Sequence, residues 1–455
     1  MGQKLSGRVK WIYGSGDLGF ALTNTILSVY LALFLTDVVG VKPAVAALAF
    51  FIGSTWDYVN DPIVGYISDR TRTRWGRRRP FLLFGALPMA AAFAVLWWRP
   101  PFTSILALGA YYAIAFALFD TAATFVYMPY YALTPELTDD YDERTALTSR
   151  RMLFSILGTL IAFTLPLAIV DGFRPEHAPR VLSMGAMLGL VSALPLFLVF
   201  WGTRERSEFM ARKPEVSLRR SVGAAVKNRP FLFGLGIFLF NGVTMSIIQV
   251  VLLYFIKYVI EREPQSDLIM ATIFVVAMIT LPLWEWISRR LNKRWAYISG
   301  ISFLAVVLLI LSSLTPETGM VLIMVLCVLA GIGVSAMHVM PWAILPDAIE
   351  YGELQSGERN EGLFYSLITL AQKVASSIAV PLTLLVLQAT GYVANSATQP
   401  PSAVLGIRLV SGVIPAFTLG AGILFTWLFP LNRENYQEIT RQLEARRAKA
   451  QEDAA

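Results

Sequence analysis

The chain is poor in the side chains on which most catalysis in water depends. It has one cysteine and two histidines among 455 residues. Cys327 is alone and lies inside an apolar run, which excludes intramolecular disulfides and cysteine-ligated metal sites. His177 and His338 are the only imidazoles available as general bases, although His338 could also carry a proton. No phosphate-binding glycine loop, paired-histidine zinc motif or Gly-x-Ser-x-Gly elbow occurs, so the chain reads as no enzyme. Charge is scarce as well. Asp, Glu, Lys and Arg make up 15% of the residues, too few to cover a water-soluble domain of this length. A cleavable signal pattern is also missing, and the first apolar segment carries Asp17 and is expected to be retained. Met1-Gly2 with Ser6 formally fits a myristoylation motif, a short match that weighs little.

What the chain has instead is apolar length. Hydrophobic residues make up 56% of it and mean hydropathy is +0.58. The apolar runs are about 20 residues long, enough to cross ~30 Å of hydrocarbon. We read twelve spans, near 12–39, 44–68, 81–98, 103–132, 150–170, 181–202, 230–256, 268–288, 296–314, 318–345, 362–390 and 404–430. The formal charge of +7 would suit a nucleic-acid partner. The Lys and Arg residues fall between the spans, however, where membrane topology puts them, so the expected partner is a lipid bilayer and no nucleic acid. One set of loops holds Lys4, Arg8, Lys10, Arg70, Arg72, Arg74, Arg77, Arg78, Arg79, the basic stretch Arg204–Arg229, and Arg289, Arg290, Lys293 and Arg294. The opposite set holds Lys42, Arg99, Arg174, Arg180, Lys257, Arg262 and Arg408. This asymmetry predicts both termini in the cytoplasm of a plasma (inner) membrane.

The two halves resemble each other. Met128-Pro129-Tyr130-Tyr131-Ala132-Leu133-Thr134-Pro135-Glu136 closes the fourth span, and Met340-Pro341-Trp342-Ala343-Ile344-Leu345-Pro346-Asp347 closes the tenth. Arg74-Trp75-Gly76-Arg77-Arg78-Arg79 follows the second span, and Arg289-Arg290 through Trp295 follows the eighth. A parallel repeat of six plus six helices is the duplication of major-facilitator transporters, whose solute sites lie between the halves. The expected organisation is an all-α membrane protein: bundle 1–202, cytoplasmic basic linker 203–229, bundle 230–431 and cytoplasmic charged tail 432–455.

Ionisable residues inside spans mark the chemistry. In Trp56-Asp57-Tyr58-Val59-Asn60-Asp61-Pro62, Asp57 and Asp61 are four apart and project from one helical face. Asp57 lies about eleven residues from the interface, roughly 16 Å at 1.5 Å per residue, too deep to serve as a cap. Each buried carboxylate costs roughly 2.5–3.5 kcal/mol to insert. A proton, a cation or a basic partner must therefore neutralise the pair, and hard oxygen donors suit Na⁺ or H⁺ better than a transition metal. Lys373 is too deep in the eleventh span to snorkel, and Asp57 and Asp61 are attractive partners for it. Asp120, Thr124 and Tyr127 form a polar stripe that fits cation or substrate contact as well as helix packing. Asp69, Arg70 and Arg77 at the interface read as a gate or a topology anchor, and Arg151 opens the fifth span.

These residues resemble the glycoside–pentoside–hexuronide:cation symporter family, to which melibiose permease belongs. The resemblance is carried by Tyr13-Gly14-Ser15-Gly16-Asp17, Trp56-Asp57 through Asp61-Pro62, Arg74-Trp75-Gly76-Arg77, Leu345-Pro346-Asp347 through Tyr351-Gly352-Glu353, and Lys373. It implies a cation site at Asp57 and Asp61 with Thr124, and Asn60 of the same segment is a further cation-binding candidate. It also implies that Lys373 lies near the cation and sugar sites and that Asp17 binds sugar hydroxyls. Tyr127 stands where melibiose permease has an aspartate before the Pro of its fourth span. Asp120, Phe119-Asp120-Thr121, Leu281-Pro282-Leu283-Trp284 and Met340-Pro341-Trp342 resemble instead the sodium-dependent lysophosphatidylcholine symporter branch. In that setting Arg151 is a phosphate partner, and Asp120, Tyr127, Arg151 and Trp342 join Asp17 and Lys373 as substrate-binding candidates. The expectation is a cation-coupled symporter, driven by Na⁺ or H⁺ and needing no cofactor. Its substrate is first a sugar or glycoside and in the alternative a lysophospholipid. A cation channel or receptor is the different-class alternative, and the protein is expected to be a monomer.

Overall fold

Among the described residues the regular structure is helical, apart from a single antiparallel bridge between Thr73 and Gly76. The structure is a computed structural model and describes residues 5–138, 140–205, 228–356, 361–396, 398–431 and a few positions of the tail. Most of the expected linker, most of the tail and Gly2 lie outside these residues.

The first half contains α1 (Gly7–Leu33, continued by a π-helical turn Phe34–Val39), α2 (Pro43–Arg70) and α3 (Arg79–Leu96). It goes on with α4 (Ile105–Leu137), α5 (Tyr141–Val170) and α6 (Ala178–Gly202). The second half contains α7 (Arg229–Tyr258), α8 (Ser266–Ile279, bent by 43° into Leu281–Leu291) and α9 (Lys293–Ser312). α10 (Met320–Ser356), α11 (Glu361–Ala389) and α12 (Pro401–Arg408, a π turn Leu409–Val413, then Ile414–Leu428) complete it. Local chemistry starts several of them. Ser6, Ser104 and Asp140 accept hydrogen bonds from Val9, Ala107 and Glu143 at the starts of α1, α4 and α5. Pro43 opens α2, where its missing N–H costs nothing.

Among the described residues ten helices are long and apolar enough to cross a membrane, and the bent α8 makes an eleventh. α2 is the twelfth. Its 28 residues suffice in length, about 42 Å at 1.5 Å per residue. It is less apolar because it carries Asp57, Asn60 and Asp61. Large apolar side chains such as Leu106, Val321 and Phe417 are more than three-quarters exposed. Water would not tolerate so much of this surface, whereas lipid covers it without cost.

Two compact units emerge. The first holds Met1–Lys213, Gln249–Ala271 and Val380–Gly406, and the second Pro214–Ile248, Thr272–Ala379 and Ile407–Ala455. In the first, α1 is the most buried span, with 78% of its apolar window enclosed against 28% for α4 and α5. Tyr13, Leu22, Ile26 and Tyr30 run along it fully buried. In the second, Phe231, Phe238, Leu345, Ile349, Phe364 and Ile368 form a core.

Candidate functional site

Glycine brings α1 against its neighbours. A Cβ at Gly16 would lie 2.6 Å from the Tyr130 ring, and one at Gly14 would lie 2.7 Å from the Arg150 Cβ. With no side chain there, Tyr13 and Tyr130 stack with centroids 5.0 Å apart. They also exchange bonds: the Tyr13 hydroxyl donates to the Tyr130 carbonyl at 3.1 Å, and the Tyr130 hydroxyl to the Tyr13 carbonyl at 2.6 Å. This close approach sets Asp17 beside α5. Asp17 is 5% exposed, and its Oδ2 lies 3.3 Å from Arg151 Nε. The guanidinium sits over the Tyr131 ring at 4.4 Å and near that of Tyr130 at 5.5 Å. Phe20 packs edge-on against Tyr127, and Tyr127 lies near Tyr131. Two polar atoms remain open here: among the described residues neither Asp17 Oδ1 nor the buried Tyr127 hydroxyl has a hydrogen-bond partner. The result is an aromatic-walled ion pair with an acceptor and a hydroxyl to spare, on helices long and apolar enough to cross a membrane.

The second group joins α2 and α4. Asn60 is 3% exposed and donates from Nδ2 to Asp120 Oδ2 at 3.3 Å. Trp56 Nε1 donates to the Thr121 hydroxyl at 2.8 Å. Asp57 and Asp61 lie half-buried on α2, and Thr124 is half-buried one turn beyond Asp120. Asp120, a substrate candidate in the sequence, thus bonds Asn60, a candidate for the cation. The donors are all hard oxygens and one amide, which fits an alkali cation or a proton. Among the described residues no three of His, Cys, Asp and Glu converge as a transition-metal site would need.

The residues read from the sequence as a gate or a topology anchor take definite partners. Gly76 closes the Thr73–Gly76 turn at φ +107, where other residues would be strained. Arg78 pairs with Asp69 at 2.5 Å and, through Nε, with Glu136 at 3.0 Å. Arg77 reaches the same Glu136 oxygen at 2.7 Å, and Glu205 accepts the backbone N–H groups of Arg77, Arg78 and Arg79. Arg70 instead stacks on Tyr66 at 3.9 Å. Sequence reasoning missed Arg78, Glu136 and Glu205 as members of this network. Glu136 was visible only as a repeat echo, and the echo has a structural counterpart: Asp347, after Pro346, pairs with Lys293 at 2.6 Å.

In the second unit Lys373 is half-buried on α11, with the Ser376 hydroxyl bonded to its carbonyl at 3.0 Å. Trp342 is 44% exposed and lies between Phe238 and Tyr365, with centroids 4.9 and 6.3 Å away.

The helices long and apolar enough to cross a membrane, the acids among them and a repeated charge network fit a transporter of the major-facilitator type. The sequence profile of the family described as MFS/sugar transport protein matches residues 12–433, and the chain belongs to that family. An uncharacterized symporter of Synechocystis sp. is 31% identical over 540 residues, covering 98% of this chain and 98% of its own. The sodium-dependent lysophosphatidylcholine symporter 1 of Mus musculus is 27% identical over 482 residues, covering 98% of this chain and 90% of its own. In fold, the inward-open xylose transporter XylE from E. coli aligns with a TM-score of 0.63 at 14% identity, over 95% of this chain and 98% of that one. The chain is thus an integral, multi-pass symporter coupled to a cation, and its family and fold are those of transporters and not of enzymes.

Proposed function

We propose that the chain is a sodium-coupled symporter for lysophospholipid-like amphiphiles, working by alternating access. The observation that carries this reading is Arg151, on a candidate membrane span, held against Asp17 and beside the rings of Tyr130 and Tyr131. A neutral sugar needs acceptors and donors but no buried guanidinium, which is expensive to keep in a bilayer. A phosphate gives it a use, because it can take the guanidinium in a bidentate, charge-assisted bond and displace Asp17. The tyrosine faces suit a quaternary ammonium by cation–π attraction. Relatives of the whole chain include sodium-dependent lysophosphatidylcholine symporters, in keeping with Na⁺ at Asp57, Asp61, Asn60 and Thr124 and with Asp120 bonded to this group.

In this reading Asp17, Tyr127, Arg151, Lys373 and Trp342 contact substrate. Asp69, Arg70 and Arg77, with Arg78 and Glu136, hold the cytoplasmic gate. Segments 1–202 and 230–431 act as the two moving bundles joined by 203–229, the termini lie in the cytoplasm, and the monomer is the working unit.

A second reading, sugar symport, is favoured by Asp17 Oδ1 and the Tyr127 hydroxyl, which are placed to meet a substrate hydroxyl. One experiment separates the two. Purified protein in liposomes is given an inward Na⁺ gradient and either labelled lysophosphatidylcholine, with albumin extraction of the outer leaflet, or a panel of labelled glycosides. Gradient-dependent lysophosphatidylcholine uptake that disappears in Arg151→Gln supports the proposal. Glycoside accumulation without lysolipid uptake replaces it with the sugar reading.

A further inference from the structure

A carboxylate that accepts from four side chains lies away from both groups above, beyond the opposite end of α1. Asp37 sits in the π-helical turn Phe34–Val39 and is fully buried. Its Oδ2 accepts from Lys257 Nζ at 2.6 Å and from the Tyr258 hydroxyl at 2.5 Å. Its Oδ1 accepts from the Thr36 hydroxyl at 2.9 Å and from the Tyr392 hydroxyl. The Asn395 amide donates to the Asp37 backbone carbonyl. Lys257 Nζ also donates to the Phe173 carbonyl at 3.1 Å, and the Thr36 and Tyr254 hydroxyls bond at 2.9 Å. All these residues belong to the first compact unit.

Their origin in the chain gives the arrangement its meaning. Asp37 ends the first span of the first half. Lys257 and Tyr258 end the first span of the second half, and Tyr392 and Asn395 follow α11. One carboxylate therefore ties the ends of two repeats together. We propose that Asp37 is the latch that holds the outer ends of the two halves closed, with Lys257 as its key. The inference rests on the alternating-access reading and assigns residues outside its cation and substrate sites.

The physics makes such a cluster two-state. Closed, the carboxylate is dry but satisfied by four donors. Fully parted, it is satisfied by water. A half-parted cluster would leave a buried charge short of partners, which is the costly case, so the ends close or open as a unit. Water is close at hand: a cavity of about 480 Å³ is lined by Lys257, Leu33, Asp171, Arg174, Arg180 and Glu263. The π turn that carries Asp37 is itself a geometry found most often where a helix serves function.

The test needs no substrate. Leu33 is buried, lines that cavity and lies one turn before Asp37. In a Cys327→Ser background, Leu33→Cys reports opening by its rate of labelling with a membrane-impermeant maleimide. Lys257→Met should speed labelling about tenfold, a shift of about 1.4 kcal/mol in the opening equilibrium. Lys257→Arg, which keeps the charge, should label as slowly as the parent. Tyr392→Phe removes one hydroxyl donor without touching a charge, and should raise the rate in the same direction by a smaller factor. It also keeps the test decisive if Lys257→Met does not fold. Each variant is checked for a cooperative melting transition first. Labelling unchanged within twofold in folded Lys257→Met and Tyr392→Phe overturns the latch. Because the readout is accessibility and not uptake, a failed lysolipid assay leaves this result independent.

Discussion

Asp17 and Arg151, 134 positions apart in the chain, meet at 3.3 Å between two candidate membrane spans, with the tyrosines of α4 around them. The pair neutralises two charges that neither α1 nor α5 could carry alone at low cost. Removing one partner strands the other, at a cost of about 3–5 kcal/mol for a buried pair. We predict that Arg151→Gln lowers the melting temperature strongly and that adding Asp17→Asn restores much of it, because the neutral pair strands no charge. Uptake should stay lost in the double variant. Thermal melts of the three variants check this, and a double variant as unstable as the single one would exclude the ion pair as the cause.

Sodium should stabilise the purified protein. At a hundred times its dissociation constant a ligand adds about 2.7 kcal/mol. Melting in NaCl against choline chloride, at fixed ionic strength and pH, should show the shift in the parent and not in Asp57→Asn or Asp61→Asn. Asp120→Asn should weaken it, since Asp120 bonds Asn60 of the same group. A shift that survives Asp61→Asn would place the sodium elsewhere; no shift in the parent would favour the proton.

Gly16 should tolerate no side chain. Its Cβ would press on the Tyr130 ring, which is locked by its own hydroxyl bond to Tyr13. Gly16→Ala is predicted to cost about 1–3 kcal/mol by overpacking and to weaken transport by moving Asp17 from Arg151. Gly7→Ala, with open space around its Cβ, is the control and should do neither. Melting and uptake together read the difference.

One pH effect has a definite sign. Glu143, ahead of the fifth span, has its carboxyl held below the ordinary range by a hydrogen bond from Lys10, with help from the Leu5 backbone N–H. A lowered folded-state pKa contributes stability that is present above the unfolded carboxylate value and lost as pH falls through the lowered one. Glu143→Gln should therefore melt below the parent at pH 7, with the gap closing on acidification below about pH 4. A gap unchanged across that range would mean the hydrogen bond does not depend on the charge.

The network at Glu136 should act through Arg78 more than Arg70. Arg78→Gln removes bonds to Asp69, Ser68 and Glu136 at once, whereas Arg70 only stacks on Tyr66. Under the gate proposal, Arg78→Gln should change uptake at least tenfold, with Arg70→Gln within twofold of the parent. Equal effects from the two would count against a gate built on Glu136.

The sequence by itself determined what depends on near neighbours and on the solvent. Apolar length placed the spans, because hydrocarbon admits only helices with satisfied backbones. The four-residue spacing of Asp57 and Asp61 put both on one face because a helix repeats every 3.6 residues. The echo of Pro135-Glu136 in Pro346-Asp347 was legible, and the structure gives each acid a basic partner. Only the tertiary structure decided which charges meet. Asp17 reaches Arg151 because glycines let α1 approach α4 and α5, and Asp120 bonds Asn60 through the packing of α2 on α4. Lys257 reads as a loop charge and the sequence does not single out Asp37, yet the two form one buried cluster. Helical period is a local property and is written in the chain. Pairing between helices is set by how closely their backbones pack, and no single segment carries that distance.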